Sequence, residues 1–273
     1  MPVYRWLVSV LFFLATLPVS AEVIVLVHGY QSSGATWRTS GVMASLHAHG
    51  WKDAGDYFLT PAGAIPNRPP LPKTDYLAVT IDLPSEAPVI IQASLLKRYL
   101  ERIKQDYPKQ ELIIVAHSAG GVVARYHLVM HPEDSVKALI TLASPHLGTA
   151  SAELGALASD SPVGAIAPFV GMDSINRSED LFDDLRRERY GSMLHWLNRQ
   201  PHPEIQWISL VRGGAYTGTG QFIVPGHSQD LRNVVALHHR ARSFIVPGDH
   251  ELNIRDGGLI ANIISNQVLN QTR

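Results

Sequence analysis

The chain has 273 residues, 45% apolar and 17% charged, which supplies enough side chain to bury a core and excludes intrinsic disorder as its overall class. Lys plus Arg number 23 against 24 Asp plus Glu, and no run of Lys and Arg forms the basic stripe that a nucleic-acid partner needs. The absence of cysteine removes thiol catalysis, disulfides, thiolate metal sites and cysteine-linked lipid anchors together.

In chain order, Arg5 is the lone charge before Glu22 and precedes an apolar run from Trp6 to Leu17, closed by Pro18-Val19-Ser20-Ala21. A charged start, a short apolar middle and small residues at Val19 and Ala21 describe an export signal. The run is short for a bilayer span, which takes about 20 apolar residues; an uncleaved anchor or a buried first strand are the alternatives. The expectation is cleavage after Ala21 and a mature chain from Glu22 that works in the periplasm or outside the cell.

Val23 to Val27 is a β-branched and Leu run ending in His28-Gly29, the pattern of a strand buried on both faces. A turn follows. Tyr76 to Asp82 predicts a second strand, and Pro88 opens a helix whose apolar positions, among them Leu96, Tyr99, Leu100 and Ile103, recur at helical spacing until Pro108. Leu112 to Ala116 predicts a strand, Ala119 to Met130 a helix and Val136 to Leu142 a strand. This alternation predicts an α/β fold with a mostly parallel sheet and helices on both faces. Residues 22–273 are expected to form one domain, since no Pro/Ser/Gly linker divides them.

After Pro145 the rhythm breaks. Ala150 to Phe169 is rich in Ala, Gly and Ser, and Arg177 to Arg189 mixes charges of both signs around Leu181, Phe182 and Leu185. Strands resume at Ile205 to Val211 and Ser243 to Val246, with a closing helix over Leu259 to Leu269. Residues 150–203 therefore read as a helical cap or lid inserted into the sheet.

The chemistry is concentrated at Ala116-His117-Ser118-Ala119-Gly120, placed between a strand and a helix. A nucleophile elbow needs that context, with small residues two before and two after the serine so that its Oγ stands clear of the turn. Ala116 and Gly120 meet the need, against the plainer reading of a serine-capped strand-to-helix turn. Pro247-Gly248-Asp249-His250 follows the last strand, 132 residues after Ser118, where a triad in the order serine, acid, histidine places its base. His238 and His239, taken with Asp249, His250 and Glu251, lack the spacing of a metal site, so no metal and no other cofactor is expected.

The run Glu111 to Thr149, with Ala-His-Ser-Ala-Gly-Gly, then Val-Ala-Arg-Tyr, then Leu-Ala-Ser-Pro-His-Leu-Gly-Thr, resembles the bacterial lipase and esterase branch of the α/β-hydrolase superfamily. Val27-His28-Gly29-Tyr30 is similar to its oxyanion loop. The resemblance implies an α/β-hydrolase fold and a secreted serine hydrolase of carboxylic esters, acting on acyl or lipid small molecules. Ser118 would be the nucleophile and His250 the base, with the backbone N–H groups of Tyr30 and Ala119 as oxyanion donors. His28, Gly29, Ala116, His117 and Gly120 would support the elbow and loop, and the lid would make transient contact with a membrane surface. The family's aspartate usually precedes a stretch like Ile223-Val224-Pro225, where this chain has Gly220-Gln221-Phe222. Asp230 is the favoured acid, with Gln221, Asp160 and Asp173 as alternatives and Asp249 disfavoured, because adjacent side chains on an extended loop point apart. The missing aspartate also motivates a rival reading, a binding or assembly protein that kept the fold and lost turnover.

Overall fold

The computed structural model describes residues 22–72, 76–132, 135–150, 178–217 and 223–269. The expected export signal, Asp160, Asp173, Gln221 and the stretch Leu154 to Phe169 lie outside the described residues. Strand β1 (Glu22–Val27) is followed by two short helices, α1 (Thr36–Thr39) and α2 (Val42–Ala48), then β2 (Lys52–Thr60) and β3 (Gly63–Pro66). Next come β4 (Tyr76–Ile81), α3 (Val89–Asp106), β5 (Glu111–His117), α4 (Ala119–Met130) and β6 (Val136–Leu142). Helices α5 (Glu179–Leu185) and α6 (Met193–Leu197) precede β7 (Gln206–Arg212). The chain closes with α7 (Gly214–Thr217), α8 (Gly226–Gln229), β8 (Ala241–Val246) and α9 (Ile254–Ile263), which runs into a π-helical turn at Ile264–Leu269.

The eight strands form one sheet in the order β3-β2-β4-β1-β5-β6-β7-β8, and every pairing but β2 with β3 is parallel. Its centre is buried on both faces with strict alternation. Val23, Val25 and Val27 of β1 join Leu112, Ile114 and Ala116 of β5 in the core under α3 and α4, while Ile24, Leu26, Ile113 and Val115 face α2 and α9. Each such aliphatic side chain contributes about 1.5–3 kcal/mol on burial, so continuous β-branched runs are confined to these central strands.

Two differences from the sequence expectation have local causes. Strands β2 and β3 replace what reads as turn, because Lys52, Asp53, Gly55 and Asp56 interrupt any apolar alternation and β2 carries a register shift between Asp53 and Asp56. The last helix starts at Ile254, not Leu259, because Asn253 and Asp256 form a reciprocal capping box.

The described part of the predicted cap is tied down at its base. Thr149 N–H donates to Leu185 O at 2.9 Å and Arg187 N–H to Thr149 O at 3.0 Å. Asp184 of α5 accepts the Val89 N–H at the start of α3, 2.9 Å, and Phe182 meets Tyr30 edge-on at a ring separation of 5.2 Å. Helix α5 therefore reaches the loop after β1.

Candidate active site

Strand β5 hands the chain to α4 through Ser118, whose φ of 52° and ψ of −129° lie where L residues are strained. Such a conformation costs roughly 1–3 kcal/mol and persists only where the surroundings enforce it. The enforcement is visible in the glycines. A Cβ on Gly120 would collide with the His28 carbonyl oxygen, and one on Gly29 would lie 2.9 Å from Ser118 Cβ. The elbow and the loop after β1 thus meet backbone to backbone at the carboxyl ends of two adjacent parallel strands, between which the chain's direction of progress across the sheet reverses.

His28 shapes that loop. Its Nδ1–H donates to Gly29 O at 3.0 Å and its Nε2 accepts the Leu83 N–H at 2.9 Å, a pairing that fixes the neutral tautomer. Burial lowers its pKa, against the pull of Gly29 and Asp82. The N–H groups of Tyr30 and Ala119 have no acceptor among the described residues, and that of Ala119 is one of the free donors that open every helix.

His250 Nε2 lies 3.0 Å from Ser118 Oγ. Both residues are buried, each 4% exposed. The elbow serine is therefore covered, whereas the sequence pattern predicts an Oγ standing free at the sheet edge; the His250 ring and Gly29 pack against it. The loop carrying His250 is held from three sides. His117 Nε2–H donates to the His250 carbonyl at 2.8 Å. Arg212, at the end of β7, donates to the carbonyls of Pro247 at 3.0 Å and Glu251 at 3.2 Å. Its other contacts are both carboxylate oxygens of Asp256, at 2.7 and 2.8 Å, and Asp256 also accepts the Asn253 N–H. Arg212 and Asp256 are fully buried. Burial, then the neighbouring His117 and Arg212, push the His250 pKa down to about 3, and burial pushes His117 to about 4. At neutral pH His250 is an uncharged imidazole able to accept a proton from Ser118 Oγ.

The structure does not bring Asp230 to His250. Its carboxylate grips Arg232 through both oxygens, 2.7 Å at the shortest, and accepts the Arg232 N–H to cap the turn at Leu231–Asn233. Burial raises its pKa, but the Arg232 hydrogen bonds and charge outweigh burial and hold it below the usual range. The physical reason is proximity: a guanidinium two residues away is satisfied at once, whereas the histidine lies across β8. Asp249 is exposed while the adjacent His250 is buried. His250 Nδ1 has no hydrogen-bonding carboxylate among the described residues. Arg212 and Asp256 are the residues sequence reasoning missed; the Asn253-x-x-Asp256 capping pattern just after His250 was the available signal. His238 and His239 meet edge-on, and among the described residues no group of three or more His, Asp or Glu could hold a metal ion.

The chain is similar to known proteins in sequence and in fold. The PGAP1-like alpha/beta domain model matches residues 18–155. The chain belongs to this family. With it comes membership of the α/β-hydrolase superfamily. The match includes Gly29 and Ser118 but stops short of His250. A GPI inositol-deacylase of Neurospora crassa is 26% identical over 153 residues, 53% of this chain and 10% of that protein, so the chain spans about a tenth of this relative's length. Among solved structures, the mature Bacillus licheniformis lipase BlEst2 superposes with a TM-score of 0.59 at 19% identity, covering 92% of this chain and 93% of its own. A lipase-esterase related protein of Clostridium acetobutylicum gives 0.54 at 12% identity, over 90% and 94% of the two chains. These neighbours share the eight-stranded, mostly parallel architecture.

Proposed function

We propose that this PGAP1-like domain is an exported serine hydrolase that cleaves carboxylic esters of acyl or lipid substrates through an acyl-enzyme on Ser118. The observation that carries the reading is the 3.0 Å approach of His250 Nε2 to a serine held at positive φ. Ser118 Oγ attacks the ester carbonyl and its proton passes to His250 Nε2; the same imidazole then protonates the leaving alcohol and activates the water that frees the acid. The N–H groups of Tyr30 and Ala119 hold the tetrahedral oxygen. The adjacent oxyanion stabilises the imidazolium that forms, a short-range attraction strengthened by burial. A matched relative named a deacylase supports the acyl substrate class, and the contact of Phe182 with Tyr30 supports a role for α5 beside the acyl chain. The mature chain acts outside the cytoplasm after loss of residues 1–21, with the cap meeting a membrane surface transiently.

The lack of a carboxylate on His250 among the described residues favours one rival, a binding protein on a hydrolase fold. A fluorophosphonate probe separates the two. Labelling of Ser118 together with turnover of nitrophenyl esters supports the hydrolase; a folded protein inert to both supports the rival.

A further inference from the structure

Between α5 and α6 the chain closes a tight turn, Arg189 to Ser192. Ser192 N–H donates to Arg189 O at 2.9 Å, and Gly191 supplies a positive φ of 80°. The Ser192 hydroxyl accepts the N–H groups of Arg189 and His195, each at 3.2 Å, and the second of these bonds caps α6. This hydrogen-bonded turn carries Tyr190 at its tip, 93% exposed. In α6 itself Leu194 and Leu197 are buried, which turns Trp196 outward, 39% exposed. The Trp196 ring lies 5.6 Å from that of Tyr126 on α4, and Tyr190 meets His195 edge-on at 5.2 Å. Since His195 and Trp196 are consecutive, the four rings make one aromatic patch at the surface.

The charges beside the patch do not cancel. Arg186 pairs with Asp183 at 2.9 Å, and Arg199 pairs with Glu188. Arg187 and Arg189 are exposed and have no ion pair among the described residues, so the turn keeps two uncompensated positive charges. The acidic Glu179 and Asp180 stand at the other end of α5, about 9 Å of helix from Arg186. A single exposed ring needs no explanation, whereas a cluster of them rimmed by one sign of charge marks an interaction surface.

We infer that this turn and α6 form a docking surface for an anionic lipid bilayer. Tyr and Trp settle at the headgroup level of a membrane, and arginines beside them select acidic lipid. A ring at the tip of a turn enters a fluid headgroup layer without a matching recess, whereas a protein partner has to supply one. Helix α5 links the patch to the loop after β1, where Phe182 meets Tyr30. The inference rests on the membrane contact proposed above and gives it a definite surface and a lipid charge. Neither Ser118 nor His250 takes part, so its test is independent of ester turnover.

Vesicles of phosphatidylglycerol and of phosphatidylcholine, added to the full chain, test it. Trp37, Trp51 and Trp207 are buried, so Trp196 should report docking: emission should move to the blue on phosphatidylglycerol vesicles, and Trp196→Phe should lose that change. In co-sedimentation, Arg187→Gln combined with Arg189→Gln should lower the partition onto phosphatidylglycerol by about 30-fold and leave that onto phosphatidylcholine unchanged, while Tyr190→Ser should lower both. All four positions are exposed, and nitrophenyl ester turnover should match wild type in every variant. Residues 1–21 are common to all of these chains and cancel in the comparison. No Trp196 change on phosphatidylglycerol overturns the inference, as does equal partition of the double arginine variant and wild type. A Trp196 change that follows protein concentration without lipid identifies a second copy as the occupant and overturns it too. Docking that persists without ester turnover supports the surface and removes the hydrolase reading alone.

Discussion

Ser118 is expected to be dispensable for folding and indispensable for turnover. Ser118→Ala keeps the backbone strain and removes one hydroxyl, so its Tm should stay within a degree or two of wild type while ester turnover falls by at least about 10³-fold; activity above a few percent in a clean preparation would remove Ser118 from the mechanism. The pKa of His250 makes a second expectation. In the proposed mechanism the neutral ring is the base, and its pKa lies at about 3, pushed there by burial and then by His117 and Arg212. The acid limb of kcat/KM should therefore fall well below the ordinary histidine value of about 6.5. A limb near pH 6.5 that persists with substrates of different leaving groups would show that the resting ring is solvated.

At the scale of elements, the loop between β8 and α9 depends on the Arg212–Asp256 pair. Removing one partner leaves a buried charge, so Arg212→Met and Asp256→Asn should each cost about 3–5 kcal/mol in urea unfolding. Arg212→Met combined with Asp256→Asn should cost clearly less than the sum. That double variant should still have reduced kcat, because the Pro247 and Glu251 carbonyls flanking His250 have lost their donor; strict additivity in the cycle would show that the two side chains do not act as a pair. Helix α5 makes the other expectation at this scale. Phe182→Ala removes the ring that meets Tyr30 and should flatten the acyl-chain preference across a nitrophenyl ester series, with the larger change in KM. An unchanged preference would make α5 a structural decoration.

For the whole molecule, acid stability follows from its buried histidines. His117 and His127 are held at about 4, and His202 and His250 at about 3, burial being the first cause in each. The folded pKa lies below the unfolded value of about 6.5, so the unfolded chain binds more protons between the two. The stabilisation is complete above pH 6.5 and is lost as pH falls toward 3, at up to about 1.4 kcal/mol per pH unit for each histidine. Tm should begin to drop near pH 6.5, well before the carboxylates titrate; a flat Tm from pH 7 to 5 would show that these rings are not held neutral by burial.

The sequence by itself determined the central sheet and the strand-to-helix turn at Ser118, and it placed His250 just after the last strand. Val23 to Val27 and Leu112 to Ala116 are apolar runs that only burial on two faces accommodates, and Ala116 to Gly120 has the small residues a strand-to-helix turn at positive φ requires. His250 was legible because it follows the last strand. Tertiary structure alone decided the rest. Strands β2 and β3 form at the edge of the sheet, where pairing with β4 outweighs a polar local pattern. Gly120 is required by the His28 carbonyl, a neighbour distant in the chain. Asp230 turned to Arg232, and Arg212 found Asp256, because ion pairing depends on which side chains the fold brings within a few ångströms. Local sequence carries periodicity and turn chemistry, whereas the partner of a buried charge is a property of the packed chain.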